Sequence, residues 1–173
     1  LPNWKAPSEG PDQPHLVELA AQLIDEAQPT VVVDSMSVLI RPDGWTWDET
    51  SEAFKIHGIT VEQAMDEGIP EKDALDQFWA LYERCDRRTA FNTTFDNRMI
   101  RIAQKRYWTT DDNDPRLLQW KTDKDRYFCT MMASRKIMGF QPTLEAAVKE
   151  LLGRDHANAH RAGPDMEACR DLY

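Results

Sequence analysis

Cysteine is scarce in this chain, with three thiols in 173 residues. Cys85, Cys129 and Cys169 are widely spaced, odd in number and unlike any zinc pattern, so neither a disulfide scaffold nor a structural zinc site is expected. They read as reduced thiols of a cytoplasmic protein. Long apolar runs are missing too: none approaches the roughly 20 residues of a membrane span, and no signal peptide is visible, so no membrane partner is expected. Basic residues are in deficit, 21 Lys and Arg against 30 Asp and Glu, for a net charge of −9. That balance argues against wrapping duplex nucleic acid, which needs a basic surface. It leaves room for an enzyme that grips one strand end, because bound cations restore local attraction for phosphate. Gly-rich phosphate loops, Gly-x-Ser-x-Gly elbows and Cys-x-x-Cys pairs are absent, which removes the chemistries they carry.

What remains is enough for one well-buried domain spanning residues 1–173, at 41% hydrophobic content. Residues 2–15 hold four prolines and read as an irregular loop. The apolar run from His15 to Ile24 and the alternating run from Val31 to Ile40 flank a polar turn and predict an antiparallel pair. Thr60 followed by Gln63 is a capping-box signature for a short helix stopping at Gly68. Pro70 opens another, with Ala74, Leu75, Phe78, Trp79 and Tyr82 on one face. A strand over Arg88–Phe95 is expected to deliver Asp96 to a helix whose stripe is Met99, Ile100, Ala103 and Tyr107. Residues 109–126 read as a long surface loop. Thr143 caps a helix ended by Gly153, and Pro164 begins a last one.

Two acids stand at predicted helix starts, Asp96 and Asp165, and His160 precedes the second by five positions. Ionised carboxylates near helix N-termini suit hard divalent cations, and an imidazole takes a proton from water near neutral pH. A lone Asp of this kind is most often a plain helix-start residue, and a lone His a surface one; the frames around them make the difference. His156 is a competing base whose spacing to Asp165 does not fit. Arg98, Arg101 and Lys105 form a basic strip, with Arg106 next to it, most simply a solvated helix face. Trp120 with Arg116, Lys121, Lys124 and Arg126 offers stacking and charge for single-stranded nucleic acid, at no better odds.

The stretch Asn92-Thr93-Thr94-Phe95-Asp96 resembles motif II, and Ala159-His160-Arg161-Ala162-Gly163-Pro164-Asp165 resembles motif III, of the DnaQ-like DEDDh 3′→5′ exonucleases. Ala53 to Thr60, around His57-Gly58-Ile59, resembles the family segment bordering the terminal nucleotide. Leu1 lies where the family has the leucine closing Asp-x-Glu-Thr-Thr-Gly-Leu, so motif I is expected just before it. The resemblance implies an α/β, ribonuclease H-like fold with a mixed five-stranded sheet flanked by helices. It implies Asp96 and Asp165 as ligands of two Mg²⁺ or Mn²⁺ ions, His160 as general base, and Leu1, His57, Asn92 and Phe95 against the substrate. The expected substrate is a single-stranded nucleic-acid 3′ end, DNA before RNA, with a polymerase or a second copy as protein partner. The alternative is a catalytically inactive nuclease fold serving as a binding or assembly module.

Overall fold

The computed structural model describes residues 1–122 and 126–173, so Lys124 lies outside the described residues. The expected hairpin is present. Strand β1 (Glu18–Asp25) runs antiparallel to β2 (Gln28–Arg41), in register from Glu18 opposite Leu39 to Leu23 opposite Asp34, with register shifts at Ile24 and Asp25 before the turn. After β2 come two short helices, α1 (Glu52–His57) and α2 (Val61–Glu67). The Thr60 hydroxyl accepts the Gln63 amide at 3.1 Å, as the capping signature predicts. Gly68 closes α2 and lets it meet the sheet. A Cβ there would lie 2.6 Å from the backbone nitrogen of Arg41 and 2.3 Å from the Ala64 carbonyl oxygen, so only glycine fits. Strand β3 (Ile69–Pro70) then pairs parallel with the end of β2, Ile40 opposite Ile69.

Helix α3 (Glu71–Tyr82) crosses β1 and β2 and buries the predicted face through Ala74, Leu75, Trp79 and Tyr82. Strand β4 stops at Ala90 (Arg88–Ala90), not at Phe95, because Asn92 adopts a left-handed conformation (φ 67°) that turns the chain into α4 (Thr93–Tyr107). The long loop expected over 109–126 contains α5 (Pro115–Thr122), whose Leu117 and Trp120 are buried three residues apart on one helical face. Strand β5 (Tyr127–Cys129) lies parallel to β4, followed by α6 (Thr130–Met138), α7 (Leu144–Leu152) and α8 (Ala162–Asp171).

The described strands therefore form two sheets, β1-β2-β3 and β4-β5, where one five-stranded sheet was expected. A sheet continues only where neighbouring backbones exchange hydrogen bonds, and among the described residues no strand joins β1 to β4. Helix α8 meets both sheets instead, packing on β1 and touching β2 and β4. The main core gathers Ile40, Leu75, Trp79, Ile100, Ile102 and Trp120 between β2, α3, α4 and α5.

The basic strip on α4 is not a free surface. Arg98 donates to Ser8 Oγ, Asn3 O and Ala6 O, while Arg101 and Lys105 both reach Asp112. Arg106 donates to the Gln13 carbonyl at 2.8 Å and lies 3.4 Å from Glu71, a carboxylate only 3% exposed. Glu71 also receives His15 Nδ1 at 2.6 Å, the Leu16 amide at 3.0 Å and the Tyr107 hydroxyl at 2.9 Å. These bonds fasten the proline-rich N-terminal loop and the start of β1 to α3 and α4.

Candidate functional site

The N-terminal turns of α4 and α8 carry the two acids. Asp96 lies in the first turns of α4, half-buried. Burial pushes its carboxyl up to about 7, and the negative charge of Asp165 pushes the same way. Asp96 in turn helps raise the buried Cys169 thiol of α8 to about 11, an effect due first to burial. Residues from distant parts of the chain thus lie within electrostatic reach of one another. Asn92 is exposed, and its carbonyl accepts the Phe95 amide at 2.9 Å; Phe95 packs against the main core.

Asp165 sits one residue after Pro164 in the first turn of α8, and its amide donates to the Arg161 carbonyl at 3.0 Å. Its Oδ1 lies 2.7 Å from His156 Nε2 and accepts the backbone N–H of His160 at 3.1 Å. His156 is the buried histidine, its side chain 3% exposed, whereas the His160 side chain is exposed. Asn158 and His160 both have positive φ, 55° and 70°, conformations that cost an L-residue about 1–2 kcal/mol each. The loop accepts that strain to bring the His160 amide onto the acid. Sequence spacing singled out His160 for its imidazole; the structure adds His156 as the side chain that holds Asp165.

Glu18 is the other residue that sequence reading left without a role. At the start of β1 it accepts Arg161 Nε at 3.1 Å, Arg161 Nη2 at 2.9 Å and the Ala162 amide at 2.8 Å. This bidentate pair ties the loop before α8 to the first sheet. Gly163 passes close by: a Cβ there would meet Ser37 Oγ of β2 at 3.3 Å. An acid in an apolar strand, facing a later arginine, was the only available signal. Beside this pair lies a cleft of about 380 Å³ bordered by Glu18, Asn158, Arg161 and Pro164.

His57 ends α1, and its Nδ1 accepts the Ile59 amide at 3.0 Å, leaving Nε2 to carry the proton of the neutral ring. Desolvation lowers its pKa, Arg161 lowers it further and Glu18 opposes, so His57 feels the same ion pair that anchors the loop. Trp47 and Phe54 meet the ring edge-on at 6.2 and 5.9 Å. Leu1 is 95% exposed. The described bonds gather His156 and His160 around Asp165, while Asp96 feels the charge of Asp165, and His57 that of Glu18 and Arg161.

Two carboxylates are oxygen donors of the kind a hard divalent cation takes. They fall short of a complete donor set. Among the described residues, no group of three His, Cys, Asp or Glu side chains gathers as a metal site.

No protein-family model matches the sequence, and no curated protein does. Solved structures do. The structure of E. coli exonuclease I, described as suggesting how processivity is achieved, superposes with a TM-score of 0.71 at 21% sequence identity. The match covers 90% of this chain and 35% of that one, so the chain spans about a third of the length of exonuclease I. At this identity the likeness shows the fold alone: a mixed α/β arrangement shared with the matched third of exonuclease I.

Proposed function

We propose that the chain is the catalytic part of a metal-dependent 3′→5′ exonuclease that releases nucleoside monophosphates from single-stranded ends, DNA before RNA. One observation carries the reading: within an exonuclease I-like fold, two histidines of one loop hold the Asp165 carboxylate, whose charge adds to the burial that raises the Asp96 pKa. Asp96 and Asp165 would hold Mg²⁺ or Mn²⁺, together with the two further acids that the resemblance expects ahead of Leu1. Bound cations would supply charge neutralisation at the scissile phosphate and activation of water.

The chain's own groups do the rest. His156 fixes one oxygen of Asp165, Oδ1, and the other would serve the cation. His160 presents an exposed imidazole that accepts the proton of the attacking water. Glu18 and Arg161 hold the loop in register with β1, and His57 lines the approach beside them. The incomplete donor set among the described residues favours a second reading, an inactive nuclease fold used for binding or assembly.

The native full-length protein, given a 5′-labelled single strand, distinguishes the two. Stepwise shortening with Mg²⁺ or Mn²⁺ that stops in EDTA supports the enzyme. Intact substrate under all metal conditions supports the module. Reading the residues encoded before Leu1 for Asp-x-Glu is the cheapest companion test.

A further inference from the structure

A second cleft, of about 390 Å³, opens between the N-terminal loop, α4 and α5. Its described lining is unusual for a protein of net charge −9. It holds Arg88, Arg98, Arg101 and Lys121 and the rings of Trp4, Trp120 and Tyr127, with no carboxylate among them. Asp112 is shared by Arg101 at 2.5 Å and Lys105 at 2.8 Å, and Lys121 acts on it as well. Among the described residues, Arg98 donates to uncharged oxygens of the loop. Among the described lining residues, every charged side chain is basic.

The cleft is preorganised. Gln13, buried at 3% exposure, donates to the carbonyls of Asn3, Ala6 and Pro7 and accepts the Asn3 amide, which closes the loop on itself. That closed loop carries Trp4, a residue 56% exposed, into the lining of the cleft. On the opposite wall, Arg88 lies flat on Trp120 at 3.9 Å and donates to its carbonyl, while Trp120 Nε1 donates to Asn97 O. An exposed indole fixed beside an exposed ammonium is a platform for a base with a phosphate at its side. At about 100° per residue, Thr94, Asn97 and Arg101 share one side of α4 and Asp96 faces another, so this is not the acid pair's site.

The geometry points to a nucleotide-binding subsite, with the base stacked on Trp4 and the phosphate beside Lys121 and Arg101. The choice of a nucleotide over other aromatic anions rests on the nuclease reading above. Its source is either a unit of the single strand away from the reacting end or a released mononucleotide.

Fluorescence anisotropy of a labelled oligothymidylate of about a dozen nucleotides, bound by the native protein in EDTA, tests this. Trp4→Ala and Lys121→Gln are each expected to weaken binding at least about fivefold, a modest share of a stacked base and its phosphate contact. Lys121→Gln should also lower the salt slope by about 0.7, while Lys136→Gln on α6 changes neither. Competition by thymidine monophosphate identifies the source: displacement at matched nucleotide concentration marks a mononucleotide site, and its failure marks a strand site. Affinities for both ligands equal to wild type in Trp4→Ala and Lys121→Gln overturn the subsite. Metal-dependent hydrolysis, measured in parallel, judges the nuclease reading separately. Cleavage with no effect of these variants on binding sinks the subsite alone, and variant-sensitive binding without any cleavage sinks the nuclease alone.

Discussion

His156 Nε2 stands 2.7 Å from Asp165 Oδ1, the same oxygen that takes the His160 amide. One histidine thus serves the acid through its ring and the other through its backbone. The two substitutions should separate cleanly. His160→Ala keeps the amide contact, so the fold should melt as wild type while kcat falls about 10²–10⁴-fold, the usual share of a general base. His156→Ala removes a buried hydrogen bond to a carboxylate and should cost about 1–3 kcal/mol of stability, with a higher Mg²⁺ concentration needed for half-maximal rate. Spacing alone would have made His156 dispensable. Kinetics against Mg²⁺ together with urea denaturation decide it, and an unchanged midpoint for His156→Ala removes its positioning role.

Asp96 predicts a pH signature in the absence of metal. Its folded pKa, about 7, lies above the ordinary carboxylate value of 3.8. The folded state therefore binds the proton more tightly, and the stability Asp96 contributes is complete below about pH 4 and lost as pH rises to about 7. Other carboxylates, Asp34 and Asp112 among them, shift the opposite way, so the informative quantity is the difference between wild type and Asp96→Asn. In EDTA, Asp96→Asn should gain on wild type steadily between pH 4 and 7, and divalent cation should close the gap by stabilising only the wild type. Parallel melting curves across that range would contradict the assignment.

Asp165→Asn should abolish hydrolysis by several orders of magnitude, since it removes a charged ligand of a hard cation. The amide can still meet the His160 N–H through its oxygen, so the fold should survive. Circular dichroism and turnover on the same preparation check both halves. Substantial activity in Asp165→Asn, or undiminished wild-type activity in EDTA, defeats the metal-dependent reading.

Glu71 offers a prediction that concerns architecture alone. Its carboxylate is buried and serves four partners, so Glu71→Ala strands an arginine, a histidine, a tyrosine and a backbone amide. A loss of about 3–5 kcal/mol in denaturant unfolding is expected. Glu18→Ala should cost less, about 1–2 kcal/mol, because Arg161 remains partly solvated, yet it frees the loop that carries His160. Faster proteolysis within residues 153–161 is the readout. Equal proteolysis rates dismiss Glu18 as the tether.

Local rules carried much of the fold. The Thr60 and Thr143 caps, the Gly68 and Gly153 stops and the β1–β2 hairpin all follow from nearest-neighbour chemistry, and each is present. Helix α5 escaped because it is short and set among polar residues, so its buried pair, Leu117 and Trp120, gave too little periodicity. The overlong β4 came from treating Asn92 as strand when its left-handed backbone begins the helix. For the site, motif spacing brought Asp96 and Asp165 to one place on paper. It was blind to His156 and Glu18, whose contacts are made through space by side chains that no spacing rule counts.

The double attachment of α8 has a kinetic consequence. Arg161 and Arg170 reach back to Glu18 and Gln22 across 143 and 148 residues. Contacts this far apart in the chain are slow to form, because a long loop must close before they return any energy. During synthesis, β1 emerges early and waits for nearly all the chain described here before its partners on α8 exist. Asp165 belongs to that late helix. The acid pair is therefore completed only once α8 has been made and docked, and a nascent chain paused before residue 161 holds Asp96 with no second acid from α8 beside it.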